Sequence, residues 1–242
     1  MLSYDMVTQP GSRETNEDDA LCVGADGNWC FAVADGLGGH GNGEIASAIF
    51  TKTLRDAFCA GEYGGGADLL ECAFTRAQDA ILEAQPEGER GSGMMTTAVA
   101  LTVIGGMCRW GHIGDSRLYM FRGNKIKART LDHSVPQMLV FSGEIKENQI
   151  RSHPDRNRIL RALGARWDSP RYEISGQCPA RGRRAFLLCS DGFWEHIEET
   201  RMCASLKRSR DAQSWLRAMT QEVEKNGEGK NMDNYTAVAV IL

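Results

Sequence analysis

No stretch of this sequence holds the ~18 consecutive apolar residues that a membrane-spanning helix needs, and no run of lysine or arginine marks a nucleic-acid surface. The first residues, Met1-Leu2-Ser3-Tyr4-Asp5, meet a charge at once and lead into no apolar stretch. A secretory leader is therefore not expected, and a cytoplasmic setting is. Cysteine occurs eight times but is scattered, with no Cys-x-x-Cys pair to suggest zinc or a redox motif. Several cysteines lie in apolar runs such as Leu187-Leu188-Cys189 and read as structural thiols in a reducing compartment. None is read as an activated nucleophile, and none is expected in the Cys-x5-Arg arrangement of a tyrosine phosphatase. Internal repeats and low-complexity segments are missing too, which excludes solenoids and propellers.

What remains is an ordinary soluble composition. The 242 residues are 42% apolar and 25% charged, with a net charge of −4, enough for one domain over residues 1–242 with a core of its own. Phe31-Ala32-Val33-Ala34 is a short apolar run closed by Asp35-Gly36, as expected of a buried strand that stops there. A helix is expected from about Glu44 to Ala60, with Ile45, Ile49, Leu54 and Phe58 near helical spacing. After Gly64-Gly65-Gly66, a second amphipathic helix runs through Leu69, Leu70, Ala73, Phe74, Ala77 and Ile81. Residues 96–129 read as a β-meander with strands Thr97–Ile104, Met107–Ile113, Arg117–Arg122 and Lys125–Arg129, turned by Gly105-Gly106 and Gly123-Asn124. The segment 133–166 is more polar and irregular. A strand over Ala185–Cys189, a helix over Asp211–Lys225 and a buried closing strand over Tyr235–Leu242 complete the pattern. By itself this is an α/β arrangement with mostly antiparallel strands and paired helices.

The acidic residues fall in telling places. Asp35, Asp115 and Asp191 each stand where an apolar run stops, and Asp233 stands just before one. Glu17-Asp18-Asp19 precedes another. One Asp-Gly after a strand is ordinary turn chemistry; repetition at four strand ends is not. Strands of one sheet can bring such ends together, and the repulsion among them calls for hard divalent cations with all-oxygen ligands, Mg²⁺ or Mn²⁺. Two such ions ~3.5–4 Å apart can ionise a shared water that then attacks phosphorus.

These residues sit in an ordered set of motifs. Gly11-Ser12-Arg13, Asn16-Glu17-Asp18 and Val33-Ala34-Asp35-Gly36-Leu37-Gly38-Gly39-His40 resemble the opening motifs of bacterial metal-dependent protein phosphatases of type 2C. Gly114-Asp115-Ser116-Arg117 and Asp132-His133-Ser134 resemble the central ones. His153-Pro154, Asn157 and Arg161-Ala162-Leu163-Gly164 are similar to the flap, and Ser190-Asp191-Gly192 and Asp233-Asn234-Tyr235-Thr236 to the last two. The set runs in the family's order from residue 11 to 236.

The resemblance implies an α+β fold of two stacked, mostly antiparallel sheets flanked by helix pairs, with a flap at about 133–166. It implies hydrolysis of phosphoserine and phosphothreonine in proteins, with two or three Mn²⁺ or Mg²⁺ ions and no phospho-enzyme intermediate. Asp35 and the carbonyl of Gly36 would hold the bridged pair, Asp191 and Asp233 would complete the first ion's shell, and Glu17 and Asp18 would hold the second. Asp115, with Asp191, would hold a looser third ion. Arg13 would grip phosphate oxygens with its guanidinium fork, and His40 would protonate the leaving alkoxide. A phosphoprotein substrate opposing a serine/threonine kinase is the expected partner, with no nucleic acid and no membrane.

One departure is visible: where the family often has Met-Gly-Thr-Thr, this chain reads Met94-Met95-Thr96-Thr97, which places a large side chain near the expected site floor. Three other readings compete. Gly36-Leu37-Gly38-Gly39-His40-Gly41 spells a dinucleotide fingerprint, but Asp35 would set a negative charge beside the pyrophosphate, and a second helix follows where a strand is needed. A non-catalytic phosphatase-like domain would be expected to have lost a ligand aspartate, and none is missing. A phosphatase of small metabolites would use the same chemistry behind a different approach surface.

Overall fold

The computed structural model describes residues 2–38, 42–86 and 93–242. Its frame is two stacked antiparallel sheets with helices on both outer faces, the α+β sandwich that the resemblance implied. One sheet orders β1 (Ser3–Gln9), β12 (Tyr235–Ile241), β11 (Arg184–Cys189), β7 (Arg117–Arg122) and β8 (Lys125–Arg129). The other orders β10 (Cys178–Pro179), β6 (Met107–Ile113), β5 (Ala98–Ile104), β3 (Asn28–Leu37) and β2 (Asp18–Ala25). Short β4 (Met95–Thr96) pairs with β3, and β9 (Glu173–Ile174) with β6. Helices α1 (Asn42–Ala60) and α2 (Gly66–Ala84) cover the second sheet; α5 (Glu199–Arg208) and α6 (Ala212–Gly227) cover the first.

The strand alternation explains the layering. Phe31, Val33, Val99, Leu101, Leu188, Val238 and Val240 interdigitate between the sheets. Their strand neighbours Ala32, Ala34, Ala98 and Ala100 face Phe50, Leu54, Leu70 and Phe74 of α1 and α2. On the opposite side, Ala237 and Ala239 face Trp215, Met219 and Val223 of α6. Large residues fill the gap between sheets, while alanines let helices approach closely. Because both faces are covered, these strands read as apolar throughout rather than alternating.

Two expectations need correction. Ile45 is 47% exposed, and the buried stripe of α1 is Ala46, Phe50, Leu54 and Phe58. The expected meander is not one sheet: β5 and β6 belong to one and β7 and β8 to the other, so the chain crosses the sandwich at Gly114-Asp115-Ser116. The strand boundaries themselves fall within one residue of those expected. The flap holds α3 (Val135–Ser142), opened by the Ser134 side chain on the Gln137 N–H and closed by Gly143 at φ 79°, and then a 3-10 turn over Glu147–Ser152. It is fastened at its root by bridges from Ser134 to Ile159 and from Thr96 to Leu163.

Candidate active site

The carboxylates converge because of where the strands end and cross. On β2 and β3, Asp18 lies directly opposite Asp35, a pairing of like charges that costs stability unless something offsets it. Contrary to the sequence expectation, β3 does not stop at Asp35. It runs on through Gly36 to Leu37 by changing partner from β5 to β4, and the Thr97 N–H and Thr96 hydroxyl both donate to the Asp35 carbonyl at 2.9 Å. Asp115 sits at the crossing from β6 to β7, after Gly114 at φ 93°. Asp191 opens the single-turn α4 (Asp191–Trp194) directly after β11, and Asp233 precedes β12. Close backbone approach requires glycine at Gly36, where a Cβ would run into the Gly43 carbonyl, and at Gly192, where it would meet that of Asn234.

A cleft of about 350 Å³ opens there. Of the expected site residues, Arg13, Glu17, Asp35, Gly36, Asp191 and Asp233 line it. Asp18 and Asp115 lie behind them, 8% and 2% exposed. His40 lies outside the described residues. Arg13 reaches across the cleft mouth to Asp233, Nη2 to Oδ2, at 2.8 Å. From the flap, Asn157 and Ile159 complete the wall.

The electrostatics are those of a site short of positive charge. Burial pushes Asp18 up to about 7, with the Asp191 and Asp233 charges adding, and Asp191 up to about 6, with Asp233 adding. Asp35 and Asp115 rise well above the carboxylate range for the same two reasons, burial first and neighbouring aspartates second. Glu17 rises too, through burial and then the Asp233 charge. Among the described residues, Asp233 alone of Asp18, Asp35, Asp115, Asp191 and Asp233 has an ion-pair partner. Ser190 donates to Asp18 Oδ2 at 2.7 Å, but Asp18 Oδ1 and Asp115 Oδ1 are buried with no partner at all. Orphaned anionic oxygens in an all-carboxylate cluster fit hard divalent cations.

Several site residues escaped the sequence reading. The Asn234 side chain accepts from Glu17 N–H at 2.8 Å and donates to the carbonyls of Pro10 and Thr15 at 2.9 Å, locking the Arg13 turn to the strand after Asp233. Its place next to Asp233 in the motif is visible in sequence; the direction of its side chain is not. Glu195, one turn beyond Asp191, is pushed up to about 7 by burial and by the Asp191 charge, and binds Arg156 of the flap at 3.1 Å. Nothing in the sequence marked it. Met95, feared as an obstruction, pairs with Leu37 across β4 and β3 and does not line the cleft.

Two other groupings have the right residue types and fail on geometry. Ligand atoms of His112, His133 and Glu173 lie within 4.8 Å of one another. His133 Nδ1 accepts the Gly114 N–H at 3.1 Å, so its proton sits on Nε2 and is donated to Glu173, and the ring keeps no lone pair for a metal. Contrary to expectation, one cysteine does stand at the Cys-x5-Arg spacing of tyrosine phosphatases, Cys178 with Arg184. Cys178 lies in β10 opposite Cys108, the intervening residues run on into β11 instead of a helix N-terminus, and neither residue lines the cleft.

Two stacked sheets flanked by helices, with carboxylates gathered at one end of the sandwich, define a class of metal-site α+β proteins. The sequence model of the protein phosphatase 2C family matches residues 11–235, and the chain belongs to that family. The serine/threonine protein phosphatase PstP of Mycobacterium tuberculosis is 33% identical over 240 residues, which are 98% of this chain and 44% of PstP. This chain thus spans less than half the length of that relative. A crystal structure of the Mycobacterium tuberculosis phosphatase PstP/Ppp superposes with a TM-score of 0.84 at 30% identity, covering 100% of this chain and 98% of that one. A PstP catalytic domain solved with two manganese ions superposes at 0.78 and 28% identity, with coverage of 100% and 98%.

Proposed function

We propose that this chain is a metal-dependent phosphatase that hydrolyses phosphoserine and phosphothreonine in proteins. The observation that carries the reading is the pair of orphaned oxygens, Asp18 Oδ1 and Asp115 Oδ1, buried behind the carboxylates that line a cleft edged by Arg13. The manganese in the related PstP domain supports it.

Asp35, the Gly36 carbonyl, Asp191 and Asp233 would hold one ion, Asp35, Glu17 and Asp18 a second, and Asp115 with Asp191 a third. When bound, these Mn²⁺ or Mg²⁺ ions supply an acidified water and draw charge from the phosphoryl oxygens. The remaining work falls to the chain's own groups. Arg13, half-exposed at the cleft mouth, turns its fork from Asp233 to the incoming phosphate. Asn234 holds the Arg13 turn at a fixed distance from the carboxylates, and Asn157 and Ile159 shape the wall on the flap side. One oxygen–phosphorus bond forms from water as the ester bond breaks, and the seryl or threonyl oxygen leaves with a proton that we assign to His40. A cytoplasmic setting is consistent with eight unpaired cysteines, and the opposing enzyme is a serine/threonine kinase.

The test is phosphate release from a phosphothreonine peptide with Mn²⁺, with Mg²⁺ and with EDTA, beside a small phosphorylated metabolite. Metal-dependent release from the peptide, lost in Asp191→Asn, is expected. Release from the metabolite alone moves the substrate class, and no release from folded protein with either ion overturns the reading.

A further inference from the structure

The carboxylate of Asp115 has a positional problem. Its Oδ1 has no hydrogen-bond partner, and its carboxylate takes a bond from its own backbone N–H, so its direction follows its backbone. Its backbone does the fixing, and there one contact stands out: the Trp194 indole Nε1–H donates to the Asp115 carbonyl at 3.0 Å, fully buried. Trp194 is also the last residue of α4, the turn that Asp191 begins. One side chain thus spans from the helix of one carboxylate to the backbone of the other.

A four-residue helix cannot hold itself in place, since nucleation of a single turn is unfavourable. The position of α4, and of Asp191 on it, depends on what grips its far end. Three contacts do so. The Arg117 guanidinium lies flat on the Trp194 ring, 3.4 Å from its centre, with its fork closed on Asp132 at 2.8 and 2.6 Å. Arg151, from the flap's 3-10 turn, donates to the Trp194 carbonyl and to that of Ile197, both at 3.0 Å. The indole bond to Asp115 is the third. Trp194 is 1% exposed and Arg117 2% exposed, so the assembly is shielded from water.

We propose that Trp194 is a positioning residue that holds Asp115 at the separation from Asp191 required to share one cation, and that it sets the affinity of that ion more strongly than that of the ion Asp191 shares with Asp35 and Asp233. This rests on the reading of Asp115 and Asp191 as ligands of one ion. The other ligands are held by contacts in which Trp194 has no part: Asp35 by Thr96 and Thr97, Asp18 by Ser190, and the Glu17 backbone by Asn234.

The experiment is a calorimetric titration of the metal-free full chain with Mn²⁺, comparing the wild type, Trp194→Phe, Arg151→Met and Asp115→Asn. Phenylalanine keeps a ring under Arg117 and removes only the N–H donor. Asp115→Asn is expected to abolish the weakest class of sites. Trp194→Phe is expected to weaken that class about fivefold, the factor of one ordinary hydrogen bond, and to weaken the tighter classes much less. Arg151→Met, a change at the half-buried outer end, is expected to shift the same class about twofold, and it decides the matter if Trp194→Phe does not fold. Identical isotherms for Trp194→Phe and the wild type overturn the proposal, as does equal weakening of every class, which is what a merely structural tryptophan produces. An isotherm unchanged in Asp115→Asn overturns the shared-ion reading, and the proposal falls with it.

Discussion

Two buried clusters of charge lie side by side in this protein and are built in opposite ways. Around Arg117 everything is matched: a bidentate fork to Asp132, a bond to the Tyr119 hydroxyl at 3.1 Å and a tryptophan face beneath. Around Asp35, two residues of chain away from Arg117 at Asp115, carboxylates face carboxylates, and two of their oxygens bond to nothing. Both clusters are buried, so the difference is not one of solvent. The first is complete as protein and contributes to holding the fold. The second is destabilising as protein alone and, on the proposed reading, is completed by cations. Burial of charge therefore divides into structure and function according to whether the partner is in the sequence.

The largest effects come from breaking each cluster in turn. Asp35→Asn is expected to lower phosphopeptide turnover about a thousandfold or more, since several kcal/mol of charge stabilisation go with the ions. In EDTA the same variant is expected to melt at a higher temperature than the wild type, because a like charge has been removed. Turnover and melting scans together check this; near-normal turnover sinks the site assignment. Arg117→Met does the reverse. It strips Asp132 of its bidentate partner and leaves it only the Arg129 guanidinium at 3.6 Å, at a cost of about 3 kcal/mol, the low end for a broken buried pair, or roughly 6–12 °C of melting temperature. That loss is expected already in EDTA, and to be somewhat larger with Mn²⁺, because Arg117 also grips the end of α4 that carries Asp191. A drop of only a degree or two contradicts the account of the matched cluster.

A smaller effect follows from pH. Asp18 and Asp191 titrate near 7 and near 6 in the folded chain, above their values in the unfolded one. Between about pH 4 and pH 7 the folded, metal-free protein therefore binds more protons than the unfolded chain, and stability falls as pH rises. In EDTA the melting temperature is expected to decline across that range. Mn²⁺ is expected to cancel the decline, with its largest gain at the highest pH. A melting temperature in EDTA that rises over the same range contradicts the reading of the cluster as unmatched.

How much of this was legible beforehand follows the same division. Strands with alanines on one face and valines on the other betray their burial by composition, and β5, β7, β11 and β12 fall where the apolar runs placed them. The carboxylates were legible because motif order survives in sequence. The crossing at Gly114-Asp115-Ser116 was not, since a turn within a sheet and a step between sheets use the same residue types. Asp35 was placed at a strand end because Asp-Gly usually ends one; β4, two residues long, overrides that preference by offering β3 a new partner. α5, β1 and the Trp194 contacts were also missed. The first two carry mixed polar patterns, and the last depends on a side-chain direction that no spacing encodes.

The smallest effect sharpens the comparison at its boundary, where Arg13 belongs to neither cluster. It pairs with Asp233 at 2.8 Å, yet the two side chains are 49% and 40% exposed, so the pair itself contributes little stability. A guanidinium so placed is free to exchange one carboxylate for a phosphate at small cost. Arg13→Ala is accordingly expected to leave the melting temperature within about 1–2 °C of the wild type. It is expected to raise KM for a phosphothreonine peptide about tenfold, the factor of a charge-assisted hydrogen bond, with kcat much less affected. The decisive pattern is the split between KM and kcat. An unchanged KM makes Arg13 a surface ion pair and no more, whereas equal loss in kcat and kcat/KM places its contact in the transition state instead of in binding.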